Sequence, residues 1–459
     1  MRSSRNKLAA SALPVIIEDP TLKPAVKLDR PTPTLANYLK PERINMAHQI
    51  SIVIVGAGDR GQLYADLAAR DPRVRIAAVA DPDERRRTTL AERHAVPPTR
   101  RYSDWREVLE QPRIADAAVI ATLDRLHHEP ALALAEQGYH LLLEKPMAVT
   151  PDMCRSIVEA ARAARVTLAV CHVLRYTPYT RVLRRLLDSG VIGQIVSVQH
   201  LEPVGWWHQA HSFVRGNWRR TDESTFMLMA KSVHDIDWLN HLVGRPARRV
   251  SSFGGLHHFR PEQRPSGAGE RCTDCAVEPD CPYSAKRIYL GCLGNPAAER
   301  WPLQTVTSAR TEEGVLDALR TGPYGRCVYR CDNDVVDHQV VNLEYEGGTT
   351  ASFTMTAFTD FAFRQTKIFG THGCLEGNGR EVEVLNFCTG KRERHLIESS
   401  SEHDPHAGGD IGLVRAFIEA LVTSRPEDHL TSPEESLASH LVTWAAEEAR
   451  LTSTVVHLN

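Results

Sequence analysis

The sequence lacks three things, and each absence narrows the field. No run approaches the ~18 consecutive apolar residues that a membrane span requires, so a channel or an anchored receptor is not expected. Neither sign of charge is in excess: 55 Lys and Arg nearly cancel 57 Asp and Glu. No global field therefore draws the chain to nucleic acid or to a membrane surface. Nor is there the disulfide framework that holds a small secreted domain together, since the chain is long enough to build a core without one. What is present is ordinary globular composition, 42% apolar and 24% charged, over 459 residues. That length is natural for two domains. A two-domain enzyme in a reducing cytoplasm is the starting expectation.

Residues 1–48 stand apart. Before the first strand lie six prolines (14, 20, 24, 31, 33, 41), eight basic residues and four acidic ones, without periodicity. Such composition reads as an arm or a disordered tail. A signal peptide is disfavoured because Pro14 interrupts the apolar run, no small-x-small site precedes Glu18-Asp19 and the arginines are not paired. Either Met46 is the natural start, or the arm wraps a neighbouring subunit.

From residue 49 to 172 the pattern is that of a dinucleotide-binding, doubly wound parallel sheet. Ile50–Val55 is a β-branched run suited to a buried parallel strand. It leads into Gly56-Ala57-Gly58-Asp59-Arg60-Gly61 and then a helical pattern. Gly56 permits the tight turn, Gly58 lets the backbone approach a pyrophosphate, and Gly61 allows close helix–strand packing. A second strand, Arg75–Ala80, ends at Asp81, about twenty residues beyond the loop, where a carboxylate accepts the ribose hydroxyls of NAD. Arg85, Arg86 and Arg87 could instead serve a 2′-phosphate, but they read as a solvated helix face, so NAD is preferred to NADP. The β-α alternation continues through Ala117–Thr122, His128–Gln137 and His140–Leu143. This last strand delivers Glu144-Lys145-Pro146 at its carboxyl end, where open α/β sheets bind ligands.

With these residues in view, the chain resembles the Gfo/Idh/MocA family (glucose-fructose oxidoreductase, inositol dehydrogenase, rhizopine catabolism). The matching stretches are Gly56–Gly61, Ala121-Thr122-x4-His127, Gly138–Met147 with its Glu-Lys-Pro, Gly190–Ile195 and His234-Asp235-Ile236-Asp237. Phe369–Gly373, Gly408-Gly409-Asp410 and Glu434–Glu448 also fit, so the resemblance covers roughly residues 49–458. It implies cofactor contacts at Gly56, Gly58, Asp59, Arg60, Gly61, Asp81, Thr122, His127, Glu144 and Lys145. It also implies a homodimer or homotetramer built on the outer face of the second domain's sheet.

Residues 173–459 are expected to form a substrate-binding and oligomerisation domain of α+β type, with a large, mainly antiparallel open sheet. Ile195–His200, Asp337–Glu344 and Thr349–Phe358 alternate, and Glu346-Gly347-Gly348 is a hairpin turn. Oxidising a carbinol requires a base for the hydroxyl proton and a partner for the developing alkoxide. Lys145, at the end of a buried strand, suits the first role because desolvation lowers a lysine pKa. His234 coincides with the family's catalytic histidine and can relay a proton. Family dehydrogenases commonly carry an Asp four residues before that His, whereas this chain has Ala230, with Lys231 next to it. Lys231 is therefore a candidate second base, its alternative being a solvent-facing side chain. Arg175, Tyr176, Trp206, Trp207 and His208, with His211 and Trp218, are candidate sugar-binding walls or plain core aromatics.

Six of the ten cysteines fall between Cys272 and Cys331, inside an insert of about residues 260–332. Cys272-x2-Cys275-x5-Cys281 has metal-ligand spacing, and Cys327, Cys331 or Cys292 could complete a set of four, with Cys327 favoured because it follows a Gly-Pro-Tyr-Gly turn. Four thiolates favour structural Zn²⁺; an iron–sulfur cluster, disulfides or free thiols are the alternatives. The leading functional expectation is NAD-dependent hydride transfer at a hydroxyl of a sugar, glycoside or cyclitol. A redox glycosidase that recycles NAD and a non-catalytic dinucleotide-binding regulator are the rivals.

Overall fold

A computed structural model describes residues 49–398 and 406–458. The proline-rich arm and Met46 lie outside the described residues. The chain forms two sheets. The first contains β1 (Ile50–Val55), β2 (Val74–Ala80), β3 (Arg101–Tyr102), β4 (Ala117–Ile120), β5 (His140–Leu143) and β6 (Leu168–Val170). Its order is β3-β2-β1-β4-β5-β6 and every pairing is parallel. Strand β1 is buried at all six positions, as its unbroken β-branched run demands when helices cover both faces. The strand order reverses between β1 and β4, which makes the carboxyl ends of these two strands the topological switch point. The loops following β1, β2, β4 and β5 therefore converge there.

The second sheet begins with β7 (Ile195–Pro203) and β8 (Ala247–Gly255), continues through β9 (His338–Tyr345), β10 (Thr350–Thr356), β11 (Gln365–Gly370), β12 (Gly373–Gly377), β13 (Glu381–Asn386) and β14 (Arg392–Leu396), and ends with β15 (Val456–His457). The order is β14-β13-β12-β11-β7-β10-β9-β8-β15. The expected hairpin joins β9 to β10 in antiparallel register. One pairing departs from the antiparallel pattern: β10 runs parallel to β7, because the long connection between them, through helices and the antiparallel strands β8 and β9, brings the chain back in the same direction. Burial alternates along β9 and β10, so one face packs on helices through Leu183, Trp238, Leu239 and Val442 and the other faces outward.

The chain returns to the first sheet near its end. Leu413, Val414, Phe417 and Ile418 of the helix Gly409–Thr423 share a core with Ile52 and Ile54. The insert carries a small core. Ala285, Tyr289, Leu303, Val315 and Leu319 form an apolar cluster of their own. Two helices, Ala285–Leu290 and Glu312–Thr321, present these residues at helical spacing. Among the described residues no helix is long and apolar enough to cross a membrane.

Candidate active site

The glycine loop is shaped by its neighbours. Gly56 has φ +93°, and a Cβ there would stand 2.6 Å from the Ala121 carbonyl oxygen. A Cβ on Gly61 would stand 1.8 Å from the Gly56 oxygen, whereas one on Gly58 would meet nothing within 4 Å. Gly58 thus faces open space. It begins the helix Asp59–Ala68 with no side-chain cap, leaving first-turn N–H groups for an anion such as a pyrophosphate. This cradle fits a dinucleotide. The Asp81 carboxylate accepts from the Ala57 N–H at 2.6 Å and from the Asp83 N–H at 2.8 Å, which fixes it beside the loop at the end of β2. Arg87 donates to the Asp81 carbonyl instead of turning outward. Asp59 lies exposed in the first helical turn.

Several candidate cofactor residues are tied to protein partners. Arg60 donates to Glu144 and Asp410, and Tyr64 donates to Glu144 at 2.8 Å. Burial alone would raise the Glu144 pKa, but the Arg60 guanidinium overcomes it and keeps the carboxyl below its ordinary value. His127 sits between the Pro146 and Thr122 carbonyls at 2.8 and 3.1 Å, clamping the loop after β4 to the loop after β5. Thr122 donates to the Leu126 carbonyl.

Beyond this frame stands Lys145. Its backbone N–H donates to Glu144 Oε2, and its Nζ donates to the Ala230 carbonyl oxygen at 2.5 Å. At Ala230, where the family resemblance leads one to expect a carboxylate, the lysine therefore meets a neutral backbone oxygen. Burial pushes the Lys145 pKa down; Lys231 and Arg60 add to that, while Glu144 and Asp124 oppose it. His234 is buried with Nδ1 making no hydrogen bond, and burial followed by the Lys145 charge holds it well below the usual histidine range. His172, also buried, lies 6.5 Å from His234 between ring centroids, and neither of its ring nitrogens makes a hydrogen bond. Lys231 is ion-paired to the buried Glu202 at 3.1 Å, and Glu202 in turn pairs with Arg364.

Sequence reasoning missed Asp124. This carboxylate in the loop after β4 accepts from Trp218 Nε1 at 3.1 Å and Ser224 Oγ at 2.5 Å, and it is one of the two carboxylates acting on Lys145. A signal was present, since it follows a parallel strand at the switch point, four residues past Ile120. The aromatic wall was half seen. Trp207 and His208 pack with Trp301 and Phe361 at centroid distances of 5.0 to 5.3 Å. Burial, then the Lys231 charge, presses the His208 pKa well down. Trp206 packs instead against Tyr283, and His211 stacks on Tyr324 at 4.8 Å. Arg175 forms a bidentate pair with Asp237 and reaches Glu435, while the Tyr176 hydroxyl accepts from the Thr431 N–H. The polar groups of both are taken up in joining elements together.

The cysteines are all unpaired. Cys272, Cys275, Cys281 and Cys327 line one small cavity, whereas the Cys292 and Cys331 thiols donate to nearby carbonyls. The expectation of a structural zinc ion is not met: among the described residues no group of three or more His, Cys, Asp or Glu is arranged to hold a metal ion. A zinc tetrathiolate closes its sulfurs to about 3.8 Å from one another, given a Zn–S bond of about 2.3 Å.

With the site's geometry in place, comparison with known proteins bears on its ancestry. The model of an "oxidoreductase family, NAD-binding Rossmann fold" matches residues 50–172, and that of its "C-terminal alpha/beta domain" matches residues 184–458. The chain belongs to the Gfo/Idh/MocA oxidoreductase family. This Gfo/Idh/MocA member is 24% identical over 310 residues to the putative oxidoreductase YteT of Bacillus subtilis, covering 64% of this chain and 70% of that one. It is 30% identical over 156 residues to 2,7-anhydro-N-acetylneuraminate hydratase of Escherichia coli, covering 34% of this chain and 41% of the hydratase. The chain therefore spans less than half of that relative. A solved structure of levoglucosan dehydrogenase with NADH and levoglucosan superposes with a TM-score of 0.65 at 18% identity, covering 89% of this chain and 99% of that one, and shows the shared fold.

Proposed function

We propose that the protein is an NAD-dependent oxidoreductase acting on a hydroxyl-bearing carbon of a sugar, glycoside or cyclitol. The observation that carries this reading is Lys145. Its half-buried amine at the carboxyl end of β5 donates to a neutral carbonyl and is lowered in pKa, next to Glu144, which Arg60 of the glycine loop holds. When bound at that cradle, the nicotinamide supplies the hydride-accepting chemistry. Neutral Lys145 Nζ takes the substrate hydroxyl proton as the C–H bond is oxidised, and the resulting ammonium steadies the oxygen. His234, kept neutral, accepts or passes a proton at its unbonded Nδ1. Trp207, Trp301 and Phe361 offer flat faces to a sugar ring and exclude water. Asp81 selects NAD by accepting the ribose hydroxyls.

The test adds NAD⁺ and a panel of free sugars, cyclitols and anhydrosugars to purified protein. NADH formation with one of them, lost in Lys145→Ala while NAD⁺ binding persists, is the expected result. Unchanged turnover in that variant would remove Lys145 from the chemistry.

A second reading, in which NAD is recycled and a glycosidic or anhydro bond is cleaved, draws support from the hydratase relative. It is also supported by Lys231, a second ionisable group acting on Lys145. Nitrophenolate released from nitrophenyl glycosides in many-fold excess over catalytic NAD⁺, without NADH, would favour it. A non-catalytic regulator predicts cofactor binding and no turnover. We further infer a cytoplasmic location, in keeping with ten unpaired cysteines. We also infer association of copies through the outer face of the second sheet, where Phe253 and Val196 are exposed.

A further inference from the structure

Oxidation of a carbinol by NAD⁺ yields a carbonyl, NADH and one proton, so every turnover must release a proton to solvent. The chemistry proposed above stops at His234, which is only 3% exposed. Among the described residues two further imidazole rings stand beside it. His172 lies 6.5 Å away between centroids and is itself fully buried, with Asp237 at 3.7 Å and His440 at 5.5 Å behind it. That direction leads into the core. His406 lies closer, 5.7 Å from His234 with the two planes inclined by 57°, and its side chain is 21% exposed. That direction leads out.

The fold fixes the His406 ring. It stands four residues before Asp410, just ahead of the helix Gly409–Thr423, and left-handed backbone at Ala407 and Gly408 bends the chain between the two. A Cβ on Gly409 would stand 2.4 Å from the Val173 carbonyl oxygen, so this turn packs directly on the residue that follows His172. His406 Nδ1 donates to Asp410 Oδ2 at 2.8 Å. Burial alone would raise the Asp410 pKa, but the Arg60 guanidinium, then His406, hold it well below the usual carboxylate range. An ionised carboxylate only accepts hydrogen bonds, so Nδ1 carries the hydrogen and the neutral ring keeps its lone pair at Nε2. Asp410 thus orients His406 with a basic nitrogen ready, the arrangement that an Asp–His pair uses to take up a proton.

We propose that His406, positioned by Asp410, relays the proton from His234 to solvent. The inference rests on the dehydrogenase reading above. The hydroxyl proton passes from Lys145 Nζ to His234, and from His234 to Nε2 of His406, directly or through one water. The His406 imidazolium, steadied by Asp410, then gives the Nε2 proton to solvent and returns to its starting tautomer. Burial, then the charges facing His234 on Lys145, His406, Arg364 and His172, all disfavour its protonated form. His234 therefore hands a proton on instead of storing it. An enzyme that recycles NAD within one turnover exports no net proton, so the relay belongs to net oxidation.

The experiment compares the full chain with His406→Asn, whose amide can still donate to Asp410 but has no second nitrogen to take a proton. The substrate is the sugar or cyclitol that yields NADH in the panel above. In His406→Asn, kcat should fall by roughly 10²-fold, the lower end of what a positioned proton-transfer group contributes, while KM and NAD⁺ affinity hold. The solvent deuterium isotope effect on kcat should grow. In His406→Ala, added imidazole should restore kcat in proportion to its concentration, which a merely structural loss would not allow. An unchanged kcat in His406→Asn, or a loss in His406→Ala that imidazole does not relieve, overturns the inference and leaves the dehydrogenase reading standing. No NADH from the unaltered chain with any member of the panel overturns both. Should His406→Asn fail to bind NAD⁺, the imidazole response of His406→Ala decides.

Discussion

The two parts of the candidate site treat their polar groups in opposite ways. On the glycine-loop side, Arg60, Glu144, Asp410, Asp81 and His127 are each committed to protein partners, so the cradle is set before any ligand arrives. Around Lys145, buried groups are left uncommitted: Nδ1 of His234 and both nitrogens of His172 have no hydrogen bond, and the lysine itself rests on a carbonyl. Committed groups hold geometry, since satisfied buried networks are rigid. Uncommitted ones cost stability but stay available to a reacting atom.

The sharpest way to break this contrast is at the glycines. Gly61→Ala forces a Cβ against the Gly56 oxygen and is expected to abolish NAD⁺ binding and lower the unfolding temperature. Gly58→Ala meets open space, so it should keep the unfolding temperature and weaken only NAD⁺ binding. Equal loss of stability in both would show that Gly58 is also packed. Next in size, Lys145→Ala should cut kcat by roughly 10²–10⁴-fold, the usual worth of a positioned base, with cofactor affinity retained. Asp81→Ala should weaken NAD⁺ binding by roughly 10- to 100-fold, the worth of charge-assisted hydrogen bonds, and narrow the preference over NADP⁺; titration by fluorescence checks both.

Smaller effects test the electrostatics. Oxidation needs neutral Lys145, so kcat/KM should rise with pH through a limb lying below the ordinary lysine value of 10.5. Lys231→Met removes a like charge and should move that limb to higher pH. Asp124→Asn removes an opposing charge and should move it lower. Opposite shifts from the two variants identify Lys145 as the titrating group; shifts of the same sign would point elsewhere. Last, His172 and His440 are pressed by burial to about 4 and about 3. The unfolded chain takes up protons at these groups below about pH 6.5 while the folded chain does not. The unfolding temperature should therefore fall steadily as pH drops from about 6.5 toward 4, and His440→Asn should flatten part of that slope.

The sequence by itself determined the parallel sheet, the glycine loop, Asp81 at the end of β2 and Lys145 at the end of β5. Each of these is written in local signals, a β-branched run or a glycine at a turn, and the alternation of strands and helices fixes where their carboxyl ends gather. Only tertiary structure decided the rest. It turned Arg175 onto Asp237 instead of toward a sugar, brought Trp301 from the insert to His208, tied Asp124 to Trp218 and Ser224, and ran β10 parallel to β7. Side chains distant in sequence meet only where packed elements carry them, and no periodicity along the chain encodes that meeting.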